Sequence, residues 1–325
     1  MSLDVHPLLS QLAHAGTTPG AMKAATMTFA VFFENENVAQ WVRERTHALA
    51  QKHPSRVVIF DATRGVEQRG IESLGTRGEW IEIGVRDAAA GELDAALRTL
   101  EVPEAPVVLL WVADGMADDE RFLALSRRAD ATICSTSVTR TDGEGLRDLT
   151  SFVHGHPEIV IADIAYLRLA SWQELIAEFF DEPSYRRELH ALRSVDVSAG
   201  SDAEMYYVLG WLASRLAWTP SAPGSFAAPG GTLHFALHRD GPPRRLSRIV
   251  LSSPSARFTA CVHPDDPATI CLDVEHAGGT TTRCAPLHTV DLASLVERAI
   301  LHRGPDDVFV ESLMMARRIL DKQAA

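Results

Sequence analysis

Three groups of residues have the types and spacing that could do chemistry. Cys261, His263, Cys271, His276, Cys284 and His288 bring sulfur and imidazole ligands into one short region, and Cys261 and His263 share a face of an expected strand. Structural zinc sites take closely spaced pairs such as C-x2-C, and no such pair occurs, so these cysteines read as small core residues of strands. Asp163 lies near the end of the apolar run IVIADIAY (159–166), where a doubly wound enzyme places a catalytic carboxylate and where desolvation would raise its pKa. No histidine or second carboxylate accompanies it in phase, so an ion pair with Arg168, or a turn cap, is the economical expectation. Ser135, Thr136 and Ser137 follow a strand and could hold a sugar hydroxyl or phosphate; the plainer reading is a polar turn.

A nucleotide site is expected to be absent. A dinucleotide fold needs glycines at the first strand-to-helix turn, so that a pyrophosphate can approach the helix N-terminus. The turn here is ENENVAQ (34–40), with two glutamates and no glycine. After the second strand, DATRGVEQRG (61–70) does not match G-x-G-x-x-G; after the fourth, ADGMADDE (113–120) would repel a phosphate. There is no Walker A lysine motif and no G-x-S-x-G nucleophile elbow. The expectation is therefore no catalytic residue, no bound cofactor and no metal.

The elements that would position such groups fall into two halves. TMTFAVFF, RVVIFD, EWIEIGV, PVVLLWV, ATICSTS and EIVIADIAY are apolar, β-branched runs. Between several of them lie amphipathic helical segments: one starting at Asn35 or Asn37, then 91–100 and 118–129. That alternation predicts a doubly wound, mostly parallel sheet, Rossmann-like but without the nucleotide fingerprint, over residues 1–165. Residues 166–325 read as an α+β domain. Ser171 with Glu174 and Ser201 with Glu204 form capping-box patterns ahead of apolar helices. A loop, TPSAPGSFAAPGG (219–231), leads into short strands expected to form an antiparallel meander, followed by two closing helices.

The totals fit a two-domain globular protein: 325 residues, 46% hydrophobic and 23% charged. A formal charge of −12 argues against nucleic acid or an anionic membrane as partner. The short cluster of Arg244, Arg245 and Arg248 reads as a solvated turn. No secretory signal is visible, and the early apolar run 21–33 holds Lys23 and falls short of the ~20 residues a bilayer span needs, so a cytoplasmic protein is expected. Four cysteines without a CxxC pair are expected to be reduced thiols.

One feature exceeds core needs. On the helix expected over 202–217, a row of Tyr207, Trp211, Arg215 and Trp218 adds large polar-handled side chains of the kind enriched in interface hot spots. At these residues, and in HPSRVVIF (53–60), PVVLLWV (106–112), ADATICSTS (129–137), DIAYLRLASWQELIAEFFD (163–181) and GWLASRLAW (210–218), the sequence resembles the glucose-6-phosphate dehydrogenase assembly protein family, OpcA. The resemblance implies a non-catalytic partner of glucose-6-phosphate dehydrogenase that promotes its active oligomer in the oxidative pentose phosphate pathway. It places Ser55, Arg56, Asp163, Arg168, Trp172, Trp211 and Arg215 at family-motif positions. ADGMADDE departs from the family's more proline-rich turn. The rival expectation is a sugar-phosphate enzyme or metabolite sensor using the carboxyl-end crevice of the parallel sheet.

Overall fold

The structure is a computed structural model that describes residues 3, 5, 7, 8, 10, 25–66, 69–74, 78–137, 143–241, 245–287, 291–301, 304 and 306–324. Arg244 and His288 lie outside the described residues. The chain forms two compact units. One comprises 1–135, 151–163 and 291–305; the other comprises 136–150, 164–290 and 306–325. Each unit is thus built from separate stretches of chain, which no single cut between 165 and 166 reproduces.

The first unit carries a seven-stranded sheet in the order β3-β4-β2-β1-β5-β6-β7. Its strands are β1 (Met27–Phe33), β2 (Ser55–Asp61), β3 (Arg69–Ser73), β4 (Gly78–Gly84), β5 (Val107–Val112), β6 (Ala131–Cys134) and β7 (Ile161–Asp163). All neighbours pair in parallel except β3, an antiparallel edge strand not foreseen from the sequence. Every residue of β1 and β5 is buried, which is why these runs read as continuous rather than alternating hydrophobics.

Helix α1 (Glu36–Lys52) starts where Asn35 accepts a hydrogen bond from the Asn37 N–H, as expected for an Asn cap. Helices α2 (Ala90–Leu100) and α3 (Glu120–Arg128) follow the amphipathic segments read from the sequence. Helix α4 (Glu144–Gly155), not expected from the sequence, precedes β7. The chain winds from β1 to β2 and β4 in one direction, then returns to β5, β6 and β7 in the other, so the order reverses between β1 and β5. Right-handed crossovers in opposite directions place helices on opposite faces of the sheet.

The second unit holds an eight-stranded sheet, β15-β14-β13-β12-β8-β11-β10-β9. Short helices α5 (Ile164–Leu167), α6 (Ala170–Glu178) and α7 (Arg186–Ala191) lead to β8 (Ser194–Ala199) and the long helix α8 (Asp202–Arg215). The remaining strands are β9 (Thr219–Ala222), β10 (Ser225–Ala228), β11 (Gly231–Arg239), β12 (Leu246–Ser252), β13 (Ala256–His263), β14 (Asp266–His276) and β15 (Gly279–Pro286).

β12 to β15 form the expected antiparallel meander. Two expectations are corrected. The segment TPSAPGSFAAPGG is a hairpin of β9 and β10 rather than a loop. β8, whose SVDVSA alternation was overlooked, sits mid-sheet, parallel to β11 and antiparallel to β12, so the sheet is mixed. The chain closes with α9 (Leu292–Leu301) in the first unit and α10 (Asp307–Gln323) in the second.

The two capping boxes are also corrected. Helix α6 begins after Leu169, which leaves Ser171 inside the helix, because α5 delivers the chain directly into it. Ser201 does sit at the N-cap of α8, but its hydroxyl donates to the Glu204 carboxylate instead of accepting a backbone N–H.

Helix α8 is buried almost all round, from Ala203 to Gly210 and again at Leu212 and Ala213. It lies antiparallel to α10: Arg215 pairs with Glu311, while Gly210 meets Ala316. A Cβ on Gly210 would fall 2.3 Å from the Ser312 carbonyl oxygen and 2.9 Å from the Ala316 nitrogen, so only glycine permits this approach. At the far end, Ala217 adopts a left-handed φ of 54°, and the Trp218 N–H bonds back to the Ala213 carbonyl at 2.9 Å, closing a Schellman turn.

Two substitutions test this helix. Gly210→Ala should destabilise the protein by about 1–3 kcal/mol through overpacking against backbone. Ala217→Gly should stabilise it by about 0.5–1 kcal/mol through relief of the left-handed alanine. Urea denaturation at equilibrium reads both, and opposite signs are the expected outcome.

Candidate functional site

In an open parallel sheet, ligands bind outside the carboxyl ends of the strands where the order reverses, here beyond β1 and β5. The residue after β1 is Glu34. One carboxylate oxygen accepts the Asp114 N–H at 3.1 Å, tying the turn after β1 to the turn after β5. The other lies 3.3 Å from a guanidinium nitrogen of Arg121 on α3. The same guanidinium grips Asp119 at 2.6 Å, and Asp119 in turn caps α3 by accepting the N–H groups of Arg121 and Phe122.

The Asp119 hydrogen bond, working against burial, raises the Arg121 pKa and keeps the group charged. Beneath it, Arg121 sits 5.0 Å over the Phe32 ring, Phe32 stacks on Trp111 at 4.1 Å, and the Trp111 indole N–H donates to the Gly115 carbonyl at 2.9 Å. Rings, guanidinium and carboxylates thus form one connected group beside the switch point, buried at Phe32 and Trp111 and exposed at Glu34.

The neighbouring strand end is equally occupied. Asp61, the last residue of β2, is the kind of acid that holds a ribose in dinucleotide folds. Here it is fully buried and accepts from the Thr63 N–H at 2.9 Å. Arg43 pairs with it at 2.7 Å and Arg64 at 3.2 Å, and both guanidinium groups also reach Glu82. These residues do not fit a dinucleotide. The turn offers a carboxylate where a pyrophosphate needs free N–H groups, and the ribose acid is neutralised by two arginines.

A second polar cluster lies within the second unit. Glu204, in the first turn of α8, is fully buried. It accepts from the Ser201 hydroxyl and, at 3.4 Å, from the Ser137 hydroxyl, and it pairs with Arg168 at 3.5 Å. The helix N-terminus adds a favourable dipole for the carboxylate. Ser135, Thr136 and Ser137 follow β6 into a turn, as expected, and all three are buried.

The sequence-derived residues distribute as follows. Ser55 is fully buried in β2, and Arg56 bonds Glu79 at 2.6 Å and the Leu100 carbonyl at 3.0 Å, so it ties β2 to β4 and to the C-terminus of α2. Asp163 is fully buried, Arg168 joins the Glu204 cluster, and Trp172 is buried in α6. The Tyr207–Trp218 row does not survive as one surface. Tyr207 packs against Tyr166 and Phe309, and the Schellman turn swings Trp218 inward onto Phe226. Trp211 is half-buried and Arg215 is exposed. Among the described residues, Val308 is the sole large hydrophobic side chain that is exposed rather than buried or half-buried.

The expectation of four reduced thiols is corrected: Cys271 and Cys284 are joined as a disulfide between β14 and β15, while Cys134 and Cys261 are free. Their strands are adjacent and in register, which spacing along the sequence could not reveal. Among the described residues, no group of three or more His, Cys, Asp or Glu side chains could hold a metal ion. Nor is any helix there long and apolar enough to cross a membrane.

Comparison with known proteins decides the family. Residues 46–151 match the family model of the glucose-6-phosphate dehydrogenase subunit N-terminal domain, and residues 159–313 match that of its C-terminal domain. The chain belongs to the OpcA family. An OpcA protein of Synechocystis sp., assigned by name to the OxPP cycle, is 35% identical over 144 residues, 44% of this chain and 30% of the relative. Another, of Synechococcus elongatus, is 29% identical over 244 residues, 66% of this chain and 53% of the relative. The chain therefore spans between 30% and 53% of the length of these OpcA relatives.

The likeness to solved structures concerns fold alone. KijD10, a 3-ketoreductase from Actinomadura kijaniata in complex with NADP and TDP-benzene, has a TM-score of 0.54 and 11% identity, covering 91% of this chain and 96% of that one. Levoglucosan dehydrogenase, apo form, has a TM-score of 0.53 and 10% identity, covering 92% and 97%. This OpcA-family chain shares the fold of those proteins, with Glu34, Arg121 and Asp119 bonded to one another beyond the carboxyl ends of β1 and β5.

The Glu204 cluster gives a direct test. Arg168→Met should cost about 3–5 kcal/mol, because it strands a buried carboxylate. Adding Glu204→Gln should recover most of that loss. Chemical denaturation of both variants at neutral pH measures the coupling; equal destabilisation of single and double variants would remove the ion pair from the account.

Proposed function

We propose that this protein is a non-catalytic assembly partner of glucose-6-phosphate dehydrogenase and that it promotes the active oligomer in the oxidative pentose phosphate pathway. The observation that carries the reading is Glu34, seated at the switch point and held by the Asp114 N–H and Arg121 where a nucleotide phosphate would lie. Family membership supports the choice of partner. An effector acts by binding the assembled dehydrogenase better than its dissociated form, and the shift it causes cannot exceed that difference in affinity. A hundredfold shift requires about 2.7 kcal/mol.

Of the aromatic and arginine residues read as contact candidates, Trp211 and Arg215 are the ones that reach the surface of α8. A half-buried tryptophan beside an exposed Arg215–Glu311 ion pair has hot-spot composition, with apolar area at the centre and charge at the rim. The proposed contact therefore centres on Trp211. Tyr207 and Trp218 act on it through the packing that fixes α8.

Mixing the purified chain with the dehydrogenase of its own organism tests both parts, with complex mass and the rate of NADP reduction followed together. A stable complex and a faster rate are expected, with no NADP reduction from glucose 6-phosphate by this chain alone. Trp211→Ala should weaken the complex about 30-fold, equivalent to about 2 kcal/mol, while leaving the melting temperature nearly unchanged. Trp218→Ala should instead cost about 3–5 kcal/mol of folding stability. No complex at micromolar concentrations of folded protein would reject the reading.

A further inference from the structure

Three cysteines lie in one row across three adjacent strands. In the sheet register Cys261 of β13 is directly opposite Cys271 of β14, and Cys271 is directly opposite Cys284 of β15. Directly opposed residues of an antiparallel sheet point to the same face, so the three sulfurs share one side. The Cys271 and Cys284 Cα atoms are 4.0 Å apart, the close spacing of a non-hydrogen-bonded pair. Cys271 therefore turns its N–H and C=O toward β13 and meets Cys261 as a hydrogen-bonded pair, with Cα atoms about 5.5 Å apart. That spacing is also within the range that disulfides span. One central sulfur is thus flanked by two, and a bond to Cys261 requires β13 and β14 to draw closer than the bond to Cys284 requires of β14 and β15.

The row is also reachable. Cys261 is half-buried and free, whereas Cys284 is exposed on β15, the edge strand of the sheet. Thiol–disulfide exchange proceeds by attack of a thiolate on a disulfide sulfur, with the leaving sulfur on the far side. Register puts attacking, central and leaving sulfurs in sequence along one line across the strands.

We propose that Cys261, Cys271 and Cys284 form a thiol–disulfide exchange site that accepts low-molecular-weight disulfides. The Cys261 thiolate attacks the Cys271 sulfur; the Cys261–Cys271 bond forms as the Cys271–Cys284 bond breaks, and the electron pair leaves on Cys284. The proton lost by Cys261 to solvent is balanced by one that Cys284 can take up, and nothing is oxidised or reduced overall. The Cys284 thiolate, now on the exposed edge, attacks a small disulfide RSSR, giving Cys284–SR and releasing RS⁻.

Arg248 on β12 lies directly opposite Cys261, and the Asp273 carboxylate on β14 is near enough to act on its charge. Burial foremost, and then Asp273, raise its thiol pKa, with Arg248 opposing. Exchange is therefore slow at neutral pH and quickens as pH rises, by about tenfold per unit below that pKa.

Tryptic cleavage after Arg257 and Arg283 separates the two isomers, because Cys261 and Cys271 then share the peptide 258–283 while Cys284 opens the next. The full chain is incubated with oxidised glutathione at pH 6 and pH 8.5, quenched in acid, blocked with N-ethylmaleimide, digested and analysed by mass spectrometry. The starting protein should show 258–283 cross-linked to 284–298, with Cys261 blocked. At pH 8.5 a looped 258–283 should accumulate together with a glutathione adduct on Cys284, more than tenfold above its level at pH 6.

Cys261→Ser should abolish the adduct on Cys284, and Cys284→Ser should form the Cys261–Cys271 loop directly. Glutathione on Cys261 with Cys271–Cys284 intact would overturn the proposal. So would equal Cys284 modification in wild type and Cys261→Ser, failure of Cys284→Ser to form the loop, or three free thiols in freshly purified protein.

Discussion

A carboxylate at the end of β1 sets the character of the first unit. Parallel sheets with a reversal in strand order leave a crevice at their carboxyl ends, and in dinucleotide enzymes a glycine turn keeps that crevice open to phosphate. Glu34 does the opposite. By accepting the Asp114 N–H and facing Arg121, it joins two turns that must otherwise separate around a ligand. Arg121 is committed in turn, because Asp119 holds it while capping α3. A phosphate entering here would meet Glu34 and Asp119 and would have to break a charge-assisted network whose members satisfy one another. The fold is similar to that of solved oxidoreductases, while at this place in the chain the side chains bond to one another.

The same economy governs α8. A helix with an apolar stripe and one additional aromatic row is ambiguous, because the row can face solvent, a partner or a second layer of the same core. Here it faces a second layer: α10 packs at Gly210 so closely that no side chain fits between the backbones. Tyr207 is absorbed into that layer with Tyr166 and Phe309. Trp218 leaves the row altogether because the left-handed Ala217 reverses the chain and points it inward. What remains outward is small, so recognition at this face would depend on few residues.

The contrast between the halves explains how much could be read in advance. β1 and β5 were legible because burial on both faces makes each an unbroken apolar run, whereas the edge strand β3, RGIES, has no such run; Asn35 and the 118–129 pattern marked helices by local chemistry. The turn after β1 was legible too, since a missing glycine is a local fact. Ser171 misled because a Ser-x-x-Glu pattern reports a cap only if the chain arrives extended, and α5 delivers it already helical. β8 was missed because one short strand is flanked by helices on both sides in the sequence, and its partners β11 and β12 lie about forty to fifty residues on. The Glu204 cluster and the cysteine row had no local signature, because each is assembled by register or tertiary contact between distant segments.

That distinction bears on what kind of function such a chain can carry. Catalysis on a doubly wound fold needs polar groups left partly unsatisfied at the strand ends, ready for a substrate. In this chain Glu34 and Asp61, at strand ends, and Glu82, within β4, are each paired with arginine. Groups satisfied internally lend rigidity and give little to a ligand, since any contact made is offset by one lost. Rigidity is what an assembly partner requires, because a preorganised surface loses less entropy on binding. The contacts at Glu34 and the close crossing at Gly210 act in different units, and each ties together segments of chain within its own unit.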